Sequence, residues 1–206
     1  MNPYHKVSPW PDTKFFTSFA DYNEEEDSKM KTMVAFLGRS NSGKSSLLNA
    51  ISNQKSLAKV SKTPGKTKLI NVFKTDREFY MIDLPGFGYS KASHKEHKDM
   101  MKLIDTFLNV SKNLKILCIL CDSQRPFPDE EMQMVEVCFT KKIIPVVVRT
   151  KADKLNQSDL VQSRRNMEKA MNEIGSPFPV YYVSTTSGKG MLELKTFLLG
   201  KLNIQM

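Results

Sequence analysis

Residues 33–51 narrow the possible folds more than any other part of the chain: the apolar run MVAFL enters a glycine-bounded turn, GRSNSGKSS, and leaves it as SSLLNAI. The apolar residues of the last segment recur at helical spacing, so the order is strand, loop, helix. Gly38 to Ser45 fits G-x-x-x-x-G-K-[ST] in that setting, a spacing that wraps backbone N–H groups around a polyphosphate. The loop amides and the helix N-terminus meet the negative charge. Lys44 is expected to reach the β- and γ-phosphates. Ser45 is expected to place its hydroxyl on Mg²⁺, a hard cation that prefers oxygen.

The rest of the chain continues the same alternation. Residues 68–74 and 78–83 look like two short strands joined by the turn-prone Thr75 and Asp76, a hairpin that makes one sheet edge antiparallel. Strand-like runs at 115–121, 143–148 and 181–184 then alternate with amphipathic stretches at 129–140, 158–174 and 191–202. That is the pattern of βαβ units around a mostly parallel sheet covered on both faces, where ligands bind at the carboxyl ends of the strands. Residues 54–66 mix Lys, Ser, Pro and Gly without a period and read as an exposed loop. Residues 1–30 read as an N-terminal extension, with an apolar patch at Phe15, Phe16 and Phe19 and a solvated acidic run at 24–27.

A length of 206 residues suits one domain with a sizeable core. Its start is polar and proline-punctuated and no apolar run could cross a bilayer, so the expected location is the cytoplasm, with no membrane partner. Cys118, Cys121 and Cys138 make an odd count, which argues for reduced thiols; residues three apart point to opposite faces of a strand, so CxxC here reads as core packing. The net charge of +9 attracts an anionic partner, RNA being the obvious candidate. A lysine-rich surface serving only solubility explains the same charge.

Three further loops complete a site. DLPG, Asp83 to Gly86, ends the hairpin's second strand; its carboxylate can hold Mg²⁺ through water, and the Gly86 N–H can meet a γ-phosphate. TKAD, Thr150 to Asp153, follows an apolar strand. The two oxygens of Asp153 match the paired N1–H and N2–H donors of guanine, which adenine cannot reciprocate, and Lys151 can lay its stem over the base. Thr150 replaces the Asn commonest at that position, leaving its contacts to the neighbouring loops open. The last strand ends in VSTTSGKG, where Ser184 and Thr185 stand at the place of a loop that backs the base.

GRSNSGKSS, KTPGKT, DLPGFGYS, TKADK and VSTTSGKG together resemble the bacterial EngB/YsxC (YihA) GTPases of the TrmE-Era-EngA-YihA-septin-like group, over nearly all of residues 34–199. The resemblance implies a three-layer α/β Ras-like P-loop GTPase domain at residues 31–206, with a mostly parallel sheet of about six strands and one antiparallel edge strand. It implies hydrolysis of GTP to GDP with Mg²⁺ held by Ser45, Asp83 and Thr67 of switch I, Thr63 being the competing threonine. Nucleotide contacts are expected from Gly38, Arg39, Ser40, Asn41, Ser42, Gly43, Lys44 and Ser45, from Gly65, Lys66, Thr67, Lys68 and Leu69, from Asp83, Leu84, Pro85 and Gly86, and from Thr150, Lys151, Ala152, Asp153, Val183, Ser184 and Thr185. Lys44, Asn41, Thr67 and Gly86 are the expected catalytic group. The implied partner is the large ribosomal subunit or its precursor, through rRNA and ribosomal proteins and not DNA, for a monomer whose relatives are linked to division septum formation.

Ras-like enzymes position the attacking water with a Gln just after DxxG, but Phe87 stands there and has neither donor nor acceptor. Slow intrinsic turnover follows. By resemblance Asn41 helps hold K⁺ beside the phosphates; a plain role in the turn of the loop is the alternative. His94 and His97 read as a solvated helix start. Two rival classes remain: an ATP-dependent phosphotransferase acting on a small molecule, and a basic RNA-binding module with a vestigial nucleotide site.

Overall fold

The computed structural model describes residues 10–58, 69–87 and 94–204. Its centre is a seven-stranded sheet: β1 (Thr13–Phe19), β2 (Met33–Gly38), β3 (Ile70–Thr75), β4 (Tyr80–Asp83), β5 (Leu114–Asp122), β6 (Ile144–Thr150) and β7 (Val180–Tyr182), in the order β1-β3-β4-β2-β5-β6-β7. β4, β2, β5, β6 and β7 run parallel; β3 runs against them, and β1 pairs antiparallel with β3. Where the sequence suggested about six strands, the seventh is β1, drawn from the segment read as an extension. Its alternation is hidden because a bulge between Phe15 and Thr17 shifts the register by one residue and so breaks the period of two.

Helices α2 (Lys44–Ile51) and α6 (Met191–Lys201) cover one face of the sheet. α3 (His94–Val110), α4 (Asp129–Thr140) and α5 (Gln157–Ile174) cover the other. β5 shows why its sequence is continuously apolar: Ile116, Cys118 and Leu120 belong to the α2/α6 core, and Leu117, Ile119 and Cys121 to the opposite one. The three thiols are free and buried, Cys118 and Cys121 on opposite faces of β5 and Cys138 on α4. Burial pushes the Cys138 thiol up to about 12.

The acidic run is the short helix α1 (Glu24–Ser28), capped by Asn23, whose side chain accepts from the Glu26 N–H. It is not wholly solvated. Asp27 turns inward, accepting from the Tyr22 hydroxyl at 2.9 Å and from the Lys112 N–H at 3.1 Å, and so ties the N-terminal segment to the loop before β5. Burial, and next the Asp27 charge, push the Tyr22 phenol up. No helix among the described residues is long and apolar enough to cross a membrane.

Candidate active site

The phosphate loop lies between the end of β2 at Gly38 and the start of α2 at Lys44. Two residues, Asn41 (φ 67°) and Gly43 (φ 87°), adopt the left-handed region. Glycine enters it without strain, and asparagine is among the few side chains that tolerate it. The turn is closed by the Ser42 N–H on Arg39 O at 3.0 Å, and helix α2 begins with the Leu47 N–H on Gly43 O at 2.8 Å. The first-turn amides of such a helix have no intrahelical acceptor and are free for an anion.

DLPG packs directly on this loop. The Ser40 N–H donates to Phe87 O at 3.0 Å, and a Cβ on Gly86 would stand 3.3 Å from Gly38 O. Any side chain at 86 would therefore press on the loop that must receive phosphate. The Phe87 side chain is buried, so only its backbone faces the loop. Lys44 forms an ion pair with Asp83 Oδ1, both side chains nearly hidden from solvent. The other oxygen, Oδ2, accepts from Asn71 Nδ2 at 3.3 Å, and Asn71 Oδ1 in turn accepts from the Ser18 hydroxyl at 2.8 Å. Strands β1 and β3 thus hold the carboxylate of DLPG from behind.

At the other end, TKAD is joined to the phosphate loop by side chains. The Thr150 hydroxyl donates to Ser42 O at 2.6 Å, with Cys121 O at 3.3 Å. Threonine in place of asparagine therefore keeps a bond between β6 and the loop. Lys151 is itself left-handed (φ 57°), and its ammonium donates to Asn41 O at 2.9 Å and to Asp122 Oδ2 at 2.7 Å. A short 3-10 turn, Ala152–Lys154, carries Asp153, which is exposed and makes no hydrogen bond or ion pair among the described residues. The Ala152 N–H donates to Val183 O at 3.0 Å, and buried Ser184 Oγ accepts from the N–H groups of Thr186 and Ser187, bringing the loop with Thr185 beside TKAD.

Gly38 to Ser45, Asp83 to Gly86, Thr150 to Asp153 and Val183 to Thr185 thus lie at the carboxyl ends of the parallel strands β2, β4, β6 and β7. Gly65, Lys66, Thr67 and Lys68, the competing Thr63, and the GYSK run after Phe87 lie outside the described residues; Leu69 is exposed just before β3. As a cation site the donor set is oxygen only, the Ser45 hydroxyl and the Asp83 carboxylate. No group of three or more His, Cys, Asp or Glu is assembled among the described residues. Such a set fits Mg²⁺, which keeps waters and shares substrate phosphates, better than a metal wanting a full protein cage.

Three residues of the site escaped the sequence reading. Asn71 orients Asp83. Arg149, almost wholly buried, donates to Ser123 O at 3.2 Å and Arg125 O at 2.5 Å and braces the loop after β5. Asp122 ends β5 and fixes Lys151. Burial works to raise the Asp122 carboxyl, but the Lys151 ammonium and the Gln124 N–H outweigh it and leave it below its ordinary value. Asp122→Ala removes both the bond from the Lys151 ammonium and the bond from the Gln124 N–H, and frees the lysine expected to cover the base. The expected result is roughly a tenfold or greater loss of guanine-nucleotide affinity, read by fluorescent-nucleotide titration, with a melting temperature lowered by only about 2–4 °C.

With that geometry established, comparison with known proteins is decisive. Residues 33–151 match the family described as 50S ribosome-binding GTPase. The chain is 62% identical over 205 residues to "Probable GTP-binding protein EngB" of Leptospira biflexa, covering 100% of this chain and 96% of the relative. The chain belongs to the EngB family of GTPases. The EngB protein of Clostridium botulinum strain Eklund 17B is 42% identical over 167 residues, covering 80% of this chain and 84% of the relative. Among solved structures, that of a probable GTP-binding protein engB has a TM-score of 0.68 at 18% identity, covering 84% of this chain and 99% of the other. The G domain of the Thermotoga maritima FeoB transporter has a TM-score of 0.52 at 23% identity, covering 82% and 98%. These structural likenesses carry the fold, and the EngB relatives carry the family.

Proposed function

We propose that this EngB-family GTPase is a cytoplasmic, monomeric switch in assembly of the large ribosomal subunit, with a further link to division septum formation. The observation that carries the nucleotide part is the bond from Thr150 to Ser42 O, which joins the base-reading loop to the phosphate loop. Base and phosphate recognition are then parts of one site. The family description names 50S binding, and the net charge of +9 suits an RNA-rich partner whose phosphates release counterions on contact.

In this reading the amides of residues 38–45 bind the phosphates, Lys44 leaves Asp83 to neutralise the β- and γ-oxygens, and Asp153 selects guanine. Ser45, Asp83 and Thr67 hold Mg²⁺, which supplies charge neutralisation at the phosphates when bound. Gly86 reports the γ-phosphate by its N–H, which meets that group in the GTP state and loses it after hydrolysis. Because the Phe87 side chain lies in the core, nothing at that position orients water, so intrinsic hydrolysis is slow. Asn41, exposed at the tip of the loop, is the residue to hold K⁺ beside the phosphates. Equal turnover in Na⁺ and K⁺ with and without ribosomes would discard that role.

Cosedimentation with large subunits and their precursors tests the switch. Retention with a GTP analogue and release with GDP is expected; equal retention in both states and without nucleotide would favour the RNA module with a vestigial site. Tighter binding of ATP than GTP would favour the small-molecule phosphotransferase.

A further inference from the structure

The β1 edge of the sheet carries, among the described residues, an arrangement that stability alone does not favour. Lys14 of β1 and Lys74 of β3 are direct cross-strand partners, and both are exposed. Like charges directly opposite each other repel and destabilise the pairing. Among the described residues neither lysine is paired with a carboxylate. Beside them two large aromatic rings face solvent: Phe15 is 59% exposed and Phe16 48%.

All of these but Phe15 form one strip. Lys74 is also the partner of Tyr80, its ammonium 5.9 Å from that ring, and Phe16 meets the same ring edge-on at 5.7 Å. Lys14, Lys74, Phe16 and Tyr80 therefore share one face, while Phe15 meets Phe73 on the other. Asp12, Asp76 and Glu78 stand at the hairpin end with Arg77, and they limit the positive strip there.

We infer that the β1–β3 edge is a binding surface for single-stranded RNA, with a base stacked on Phe16 and adjoining phosphates on Lys14 and Lys74. Exposed rings flanked by cations suit unpaired bases, whose faces are open; a duplex hides them and offers phosphates alone. A second copy is disfavoured as occupant. Pairing two such edges would add further lysines of the same sign, and the bulge at Phe16 interrupts the flat strand that edge pairing needs. The site is distinct from the nucleotide loops and rests on the ribosome reading only for the choice of RNA as the anion.

The test titrates full-length protein into a fluorescently labelled unstructured 12-nucleotide RNA and into a 12-base-pair RNA duplex, over a range of salt. Single-stranded RNA is expected to bind more tightly. Phe16→Ala should weaken it roughly tenfold with an unchanged salt slope, as loss of stacking does. Lys14→Glu should weaken it and lower the salt slope by about 0.7, one phosphate contact. The same substitution puts opposite charges across β1 and β3, so the melting temperature should rise while GTP turnover stays the same. Greater stability with weaker RNA binding is a combination that a purely structural lysine would not give. Equal affinity for duplex and single strand, full RNA affinity in Lys14→Glu, or preference for phosphatidylglycerol vesicles over RNA would each overturn the assignment. So would self-association abolished by Phe16→Ala with RNA binding intact. Cosedimentation with large subunits is scored separately, so failure of the ribosome reading and failure of this surface are distinguishable.

Discussion

Asp153→Ala is expected to lower GTP affinity by about 100-fold or more while leaving ATP affinity unchanged. The carboxylate offers two acceptors to two donors of guanine, and each hydrogen bond to a charged group contributes about 1.5–3 kcal/mol. Losing both leaves the base donors without partners inside the site, the situation in which discrimination reaches its largest values. The surroundings of Asp153 should survive the change. It is exposed and forms no bond among the described residues, whereas the fold of its loop rests on Thr150, Lys151 and the Ala152 N–H. Melting temperature should therefore hold constant. Asp153→Asn is the sharper variant, because its amide presents one donor and one acceptor; it should bind xanthine nucleotides, which carry a carbonyl where guanine has its amino group, better than GTP. Competition titrations of GTP, XTP and ATP measure both effects, and undiminished GTP affinity in either variant would remove Asp153 from base selection.

Most of this site could be read from the sequence because its parts are local. A strand, a glycine-bounded loop and a helix occupy consecutive residues, so the signal at 33–51 needs no knowledge of what packs against it. DLPG and TKAD likewise end β4 and β6, and the hairpin of β3 and β4 follows from two short apolar runs around a turn. What escaped depends on neighbours far away in sequence. Asp122 meets Lys151 across 29 positions and Asn71 reaches Asp83 only because β3 and β4 pair in register. Asp27 looks like one more solvated acid until the Tyr22 hydroxyl and the Lys112 N–H close on it.

Two elements were hidden for other reasons. β1 lacks period-two alternation because of its bulge. α3 opens with HKEHKD, more than one turn of polar residues, and its buried Ile104, Phe107 and Leu108 come only towards its end, so only a helix start was legible at His94. In both cases tertiary pairing, not propensity, defines the element.

Lys44→Met should have two separable consequences, one for catalysis and one for the protein without nucleotide. In catalysis it removes one side-chain cation of the phosphate loop, and a fall in turnover of about 100- to 1,000-fold is expected, the cost of losing one preorganised stabilising donor. Without nucleotide, Lys44 is the ionic partner of Asp83, which is 4% exposed. Among the described residues the methionine leaves that carboxylate buried with only the Asn71 amide, and stranding one member of such a pair costs about 3 kcal/mol. For a chain of this size that lowers the melting temperature by about 6–12 °C. Adding Asp83→Asn removes the stranded charge, so Lys44→Met with Asp83→Asn should recover most of the lost stability and none of the turnover. A double-mutant cycle read by both melting temperature and single-turnover hydrolysis measures the two couplings independently. If the double variant melts as low as Lys44→Met alone, the lysine does not serve as the counterion of Asp83 in the empty site. If Lys44→Met hydrolyses GTP at the unaltered rate, the phosphates are held by the loop amides alone.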